Sequence, residues 1–259
     1  MSRPASVPDP SAAAAGAADR GPRPASVLLA LEASTLRPSV ALVGPQGERC
    51  GHWTQAEPAR GTASLAPAVG ELLAAAGLAL PQLAGIVVGL GPGSYTGTRA
   101  AIALARGLVA VTGLPLAGVP SVAGAASAAL AARTELALVV TLIDARRGEC
   151  YRADYGRRAD GGLLCLRAPQ LVHGADADPD PDALAAAARQ PQHSVLVLRE
   201  PHSDAYDVGA VGRERLAAGG DDPSSVLPLY LKRSHAEIVF DERAGPAGLG
   251  GDRSLRPQA

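Results

Sequence analysis

Three continuous apolar runs constrain the fold of this chain more than any other feature. They lie at residues 27–31, 85–90 and 136–143, and they lack the polar alternation of a half-exposed strand. Such runs are typical of strands that helices cover on both faces of a sheet. Segments with helical periodicity, including residues 62–76 and 99–112, lie between them. The pattern therefore predicts an α/β protein.

The order of the predicted elements repeats along the chain. A three-stranded meander at residues 27–53 is followed by helix, strand and helix, and a second group of strands begins near residue 136. Two such rounds predict two related lobes, because each sheet needs its own covering helices. We place the N-terminal lobe at residues 27–120 and the C-terminal lobe at residues 121–237.

The two ends of the chain differ in composition from the rest. Residues 1–26 are rich in Ala, Pro, Ser and Gly, and residues 238–259 are rich in Gly, Pro and Arg. Such segments bury too little apolar surface to offset the entropy lost on ordering. We therefore predict a disordered N-terminal tail and a flexible C-terminal tail, and we find no apolar core of a secretory signal.

Charge and cysteine content exclude several classes of protein. The formal net charge is -1, whereas a protein that binds nucleic acid by itself normally has a basic excess. Cys50, Cys150 and Cys165 are odd in number and widely spaced, which argues against a disulfide framework or a cysteine zinc site. No apolar run reaches the length of about 18 residues that a membrane span needs. We therefore expect a cytoplasmic protein.

A glycine-rich loop, Gly89–Arg99, joins a predicted strand to a predicted helix. Such a loop can bind phosphate through bare backbone and the helix N-terminus, and Gly91, Gly93 and Ser94 are the candidate contacts. Its spacing matches neither the G-x-G-x-x-G pattern nor the Walker A pattern. The alternative is a tight turn in which the glycines take positive φ and approach other backbone closely.

Glu32 ends the first predicted strand, where a carboxylate could hold a metal-bound phosphate. The residues that follow include no glycine that would let a phosphate approach. We favour a turn carboxylate that binds neighbouring backbone, so the phosphate site would be degenerate and the protein would bind no cofactor.

Candidates for a catalytic nucleophile or a metal site are weak. Ser94, Cys50 and Cys150 have no base beside them in a recognised motif, and the five histidines form no paired metal motif. We therefore predict neither a catalytic residue nor a metal.

The segment Asp144–Glu149 connects two predicted strands and contains two arginines. It could offer an arginine pair to an anion. It could equally be a charged hairpin connection in which Gly148 takes the unusual φ, and we favour this second interpretation.

Four segments, taken in order, resemble the TsaB (YeaZ) family. They are residues 29–42, the loop Gly89–Arg99 with Tyr95 in place of the usual phenylalanine, Ile143–Tyr151 and Pro228–Arg233. The resemblance covers roughly residues 27–237. One departure is Glu32-Ala33, where the family usually has Asp-Thr.

The resemblance implies an actin-like (ASKHA) two-lobe fold, with each lobe a mixed sheet flanked by helices. It implies a non-catalytic subunit of the bacterial synthase of N6-threonylcarbamoyladenosine (t6A) at tRNA position 37. The implied partners are the catalytic paralogue TsaD as a heterodimer and the ATPase TsaE in a ternary complex, with a functional link to TsaC. A homodimer is also allowed, and tRNA would be contacted only through the complex. The alternative is an actin-like phosphotransferase or peptidase-like hydrolase that uses the Gly89–Arg99 loop.

The family also implies where the partner binds, because its pairings use the two helices predicted at residues 62–76 and 99–112. Both helices carry many small residues beside a large apolar face. Small residues permit close helix packing, although an alanine-rich composition explains the same pattern. We predict the interface at Leu65, Val69, Leu72, Leu73, Ala101, Ala105 and Leu108.

Overall fold

The computed structural model describes residues 27–56, 65–189, 191 and 194–232. The tails predicted at residues 1–26 and 238–259 lie outside these described residues, and so does Thr62, where we expected the first helix to begin. Within the described ranges, no helix has the length and apolar character needed to cross a membrane.

The first sheet has five strands within the described residues. They are β1 (Leu28–Glu32), β2 (Ser39–Val43), β3 (Arg49–Thr54), β4 (Gly85–Gly89) and β5 (Leu116–Val119), in the spatial order β3-β2-β1-β4-β5. β1 runs antiparallel to β2 and parallel to β4, and β4 runs parallel to β5. Every residue of β1 and β4 is buried, which confirms the interpretation of their apolar runs.

The second sheet has four strands in the part of the chain that the structure describes. They are β6 (Leu138–Arg146), β7 (Glu149–Arg157), β8 (Leu163–His173) and β9 (Val195–Arg199), in the spatial order β8-β7-β6-β9. The first three pair antiparallel, and β9 pairs parallel with β6. Both sheets are thus mixed, as expected.

Helices cover both faces of the first sheet. Helix α1 (Leu65–Ala75) and helix α2 (Tyr95–Thr112) pack on one face, where their apolar side chains share a core with β1, β2 and β4. Helix α3 (Ser121–Ala132) packs on the other face and also contacts β6 and β7, so it lies between the two sheets. Helix α4 (Pro181–Ala187) packs against β9.

Helix α5 (Ala205–Ala217) follows the second sheet in sequence but packs on the first. It contacts β1, β2 and β4, and it also packs against α3. Glycines permit this close approach, because a Cβ at Gly212 would lie 2.3 Å from a methyl group of Val87. The boundary predicted at residues 120/121 therefore does not divide the packing cleanly, since the first sheet is covered by a helix from the second half of the chain.

Helix α2 begins at Tyr95, four residues before the predicted start at Arg99. The reason is a cap, because Ser94 Oγ accepts a hydrogen bond from Gly97 N at 3.2 Å. The helix ends as predicted at Gly113, which has a φ of 63°. The glycine-rich sequence is thus partly helical, and this places the first turn of α2 at the site described next.

Candidate functional site

Three segments that are far apart in sequence meet at one cleft with a volume of about 520 Å³. We call it the loop cleft. Its lining comes from the glycine-rich loop with the first turn of α2, from Tyr151 on β7, and from residues 228–232 after α5. Leu229 N donates to Leu90 O at 2.9 Å, which fixes the last segment to the loop. Three of the four sequence motifs therefore lie at one site.

The glycines of the loop are used by the protein's own backbone. Gly91 and Gly93 have φ values of 83° and 152°, and Ser94 N donates to Ser34 O at 2.6 Å. A Cβ at Gly93 would lie 2.2 Å from Ser34 O, and one at Gly97 would lie 2.0 Å from Ala33 O. The loop thus presses on the turn between β1 and β2, which agrees with the tight-turn interpretation rather than with an open phosphate loop.

One wall of the cleft combines an arginine with two tyrosines. The guanidinium carbon of Arg99 lies 4.5 Å from the ring centroid of Tyr95 and 5.7 Å from that of Tyr230. The two ring centroids are 6.0 Å apart and the rings are inclined by 45°. Arg99 Nη1 also donates to the Tyr95 hydroxyl at 2.5 Å. Among the described residues, Arg99 has no carboxylate partner, and both rings are more than half exposed.

The lining segment after α5 is also tied to the hairpin between β6 and β7. Lys232 Nζ donates to Ala145 O at 2.9 Å and to Glu149 Oε2 at 2.5 Å. At the hairpin tip, Gly148 has a φ of 74°, as predicted, but Arg146 and Arg147 are also left-handed, with φ values of 68° and 61°. The left-handed conformation costs an arginine about 1 kcal/mol or more. The segment is therefore a charged hairpin connection, in which the exposed Arg146 pairs with Asp144.

Thr98 lines the cleft with a buried hydroxyl that has no partner. Its side chain lies on the first turn of α2 beneath Gly91 and is only 4% exposed. Its Oγ1 has no hydrogen-bond partner among the described residues. A buried unsatisfied hydroxyl costs roughly 1–3 kcal/mol, and this oxygen has almost no accessible surface through which a molecule in the cleft could reach it.

Glu32 lies at the end of β1 and is completely buried. Its Oε1 accepts a hydrogen bond from Ser34 N at 2.5 Å, and its Oε2 has no partner among the described residues. Gly89 makes room for it, because a Cβ there would lie 1.9 Å from Oε2. Burial raises the pKa of the Glu32 carboxyl above its ordinary value. The geometry agrees with a turn carboxylate, more deeply buried than we expected, and leaves it inaccessible to a metal or a phosphate.

We expect Glu32→Gln to change the pH dependence of stability. A carboxyl whose pKa is raised in the folded state stabilises the protein below its ordinary pKa, and that stability is lost as the pH rises through the raised value. Glutamine keeps the shape and the acceptor for Ser34 N but does not titrate. The free energy of unfolding of the variant should therefore rise relative to that of the natural protein as the pH increases from about 4 to 8. Urea unfolding at a series of pH values measures this difference. A difference that stays constant over this range would contradict the assignment.

The predicted interface residues require a correction. Leu65, Val69, Leu73, Ala101 and Ala105 are all buried in the core between the helices and the first sheet. Leu72 and Leu108 are partly buried and pack against the same core. The buried five cannot face a partner, because an apolar stripe at helical spacing first covers the protein's own sheet.

The opposite faces of the same helices are exposed and carry small side chains. We call these outward positions the small-residue face; they are Ala66, Gly70 and Ala74 on α1, and Ala103, Gly107, Ala110 and Val111 on α2. Val111 is 86% exposed, which is unusual for a valine in a helix. An exposed apolar surface of this kind is typical of a docking site.

The structure gives the candidate nucleophiles other roles. Ser94 Oγ caps α2, and burial together with the nearby Asp144 carboxylate raises the pKa of the Cys150 thiol, which disfavours the reactive thiolate. Cys50 is an exposed free thiol. Within the described part of the chain, no group of three or more His, Cys, Asp and Glu side chains is placed to hold a metal ion.

Sequence reasoning missed the residues that complete the cleft. Tyr230, Tyr151 and Thr98 were part of quoted motifs but were not singled out, and only the fold brings them together. A signal was available in the sequence, because three of the four motifs each contain a tyrosine. These are Tyr95, Tyr151 and Tyr230.

Comparisons with known proteins give a consistent result. A family model for TsaD, the tRNA N6-adenosine threonylcarbamoyltransferase, matches residues 60–164. The chain is 34% identical over 156 residues to the tRNA threonylcarbamoyladenosine biosynthesis protein TsaB of Escherichia coli, covering 56% of this chain and 64% of that protein. It is 36% identical over 138 residues to TsaB of Haemophilus influenzae, covering 50% of this chain and 57% of that protein. The matches thus span less than two thirds of either relative.

A solved structure extends the likeness over most of the chain. YeaZ from Pseudomonas aeruginosa superposes with a TM-score of 0.65 at 30% identity, covering 80% of this chain and 100% of that one. Together with the two mixed sheets flanked by helices, this match supports the actin-like two-lobe α/β fold.

Proposed function

Because this chain belongs to the TsaB (YeaZ) family, we propose that it is a non-catalytic subunit of the complex that makes t6A at tRNA position 37. The observation that carries the non-catalytic role is the burial of Glu32, whose carboxyl binds the backbone of its own turn. The glycines of the neighbouring loop are occupied by backbone as well. In an actin-like enzyme, the carboxylate and the glycine loop at these positions would contact the nucleotide. In this chain, both contact the protein's own backbone instead.

The partner in this proposal is a TsaD-type threonylcarbamoyltransferase, bound through the small-residue face. The TsaD family model matches residues 60–164, a range that includes α1 and α2. The partner would therefore present similar helices, and two like surfaces can pair about a pseudo-two-fold axis. The same surface would allow a homodimer, with TsaE joining as a third subunit and TsaC supplying the activated threonylcarbamoyl group.

Omission from a reconstituted reaction tests this function. TsaD, TsaC and TsaE counterparts from the same organism are mixed with tRNA, ATP, threonine and bicarbonate, with and without this chain, and t6A is measured by mass spectrometry of the digested RNA. We expect modification to fall at least about tenfold without the chain, because the transferase would lose its supporting subunit. Full modification in its absence would refute the proposal.

A further inference from the structure

We propose that the loop cleft binds an unpaired nucleotide of the tRNA, with the base stacked on the exposed tyrosines and a phosphate at Arg99. The inference rests on the proposed function, since it concerns the RNA of that reaction. It adds a direct contact by this chain to our expectation from the sequence that tRNA is contacted only through the complex.

The first argument is the aromatic surface. Tyr95 and Tyr230 are 56% and 54% exposed, and both are among the large apolar side chains that the described residues leave at the surface. Single-stranded RNA is recognised by stacking its splayed bases on such rings, together with arginine planes. Arg99 lies against both rings, which fixes the wall before any base arrives.

The second argument is the charge beside this surface. Arg99 has no carboxylate partner among the described residues. A guanidinium without a carboxylate partner favours a phosphate.

The hairpin tip, which Lys232 ties to the cleft lining, carries one unpaired arginine among the described residues. Arg147 is exposed and makes no ion pair among the described residues, whereas Arg146 pairs with Asp144 and Lys232 pairs with Glu149. The overall charge of -1 argues against unaided RNA binding, but it does not exclude a local basic site in a larger complex.

The cleft therefore combines two elements of nucleotide recognition, which are a stacking surface of two tyrosines and an arginine for a phosphate.

The test uses the full chain assembled with its TsaD-type partner, after a sizing column has shown that each variant assembles. Affinity for a fluorescent anticodon stem-loop RNA is measured by anisotropy at several salt concentrations. We expect Tyr230→Leu to weaken binding about 5- to 100-fold, the range that loss of one stacked base gives. Arg99→Gln should weaken binding and reduce the salt slope by about one, whereas Arg106→Gln, on the same helix but outside the cleft lining, should do neither.

Normal assembly with unchanged RNA affinity for Tyr230→Leu and Arg99→Gln would overturn the inference and leave the proposed function standing. Binding of free AMP as tight as that of the stem-loop would overturn the assignment to tRNA. If no complex forms, the proposed function fails, and RNA binding by the chain alone then decides the inference.

Discussion

Gly107→Arg is expected to abolish association with a TsaD-type partner while leaving the chain folded. Gly107 lies on the small-residue face, and a Cβ there would meet no atom within 4 Å, so the folded chain accommodates a side chain. Arginine also favours helix over glycine by about 0.8–1 kcal/mol. At a closely packed interface, however, the arginine would bring bulk and an unpaired charge, so the affinity should fall at least about 100-fold in isothermal titration.

Two further variants make this result specific. Gly70→Arg on α1 also has open space around the added Cβ and should have the same effect. Ala186→Arg lies on an exposed position of α4, against the second sheet, and should bind the partner normally. Unfolding temperatures of all three should stay within a few degrees of the natural chain. Normal binding by both glycine variants would show that the partner docks elsewhere.

The interface prediction also shows where sequence reasoning reached its limit. The spacing of Leu65, Val69 and Leu73 correctly predicted a helix, and that same spacing marks the side that packs on the sheet. The exposed side remains for a partner. In the sequence it consists mostly of alanine and glycine, which carry no clear hydrophobic pattern. A partner surface made of small residues therefore gives almost no local signal, whereas the core that supports it gives a strong one.

Strands and most helices were predictable because their signals are local. The apolar run of β1 and the helical spacing of α2 each lie within one short stretch of the chain. The packing of α5 on the first sheet was not predictable, since the contact of Gly212 with Val87 joins residues 125 apart in sequence. The loop cleft has the same origin, because Tyr95, Tyr151 and Tyr230 converge only after both sheets have formed.

Gly97→Ala should strongly destabilise the protein, although alanine normally stabilises a helix by about 0.5–1 kcal/mol relative to glycine. The reason is a fixed neighbour, because the added Cβ would lie 2.0 Å from the backbone oxygen of Ala33. Backbone cannot rotate away as a side chain can, so the loop or the β1–β2 turn must shift. We expect a loss of about 3 kcal/mol in the free energy of unfolding, at the upper end for overpacked sites.

Gly107→Ala is the matched control, because it makes the same substitution in the same helix where the added Cβ meets no atom within 4 Å. It should stabilise the chain by about 0.5–1 kcal/mol, so the two variants are expected to move the urea midpoint in opposite directions. If both stabilise the chain, the glycine-rich loop does not press on the turn after β1. The glycines would then be free to admit a phosphate, and the argument for a non-catalytic subunit would lose the contact on which it depends.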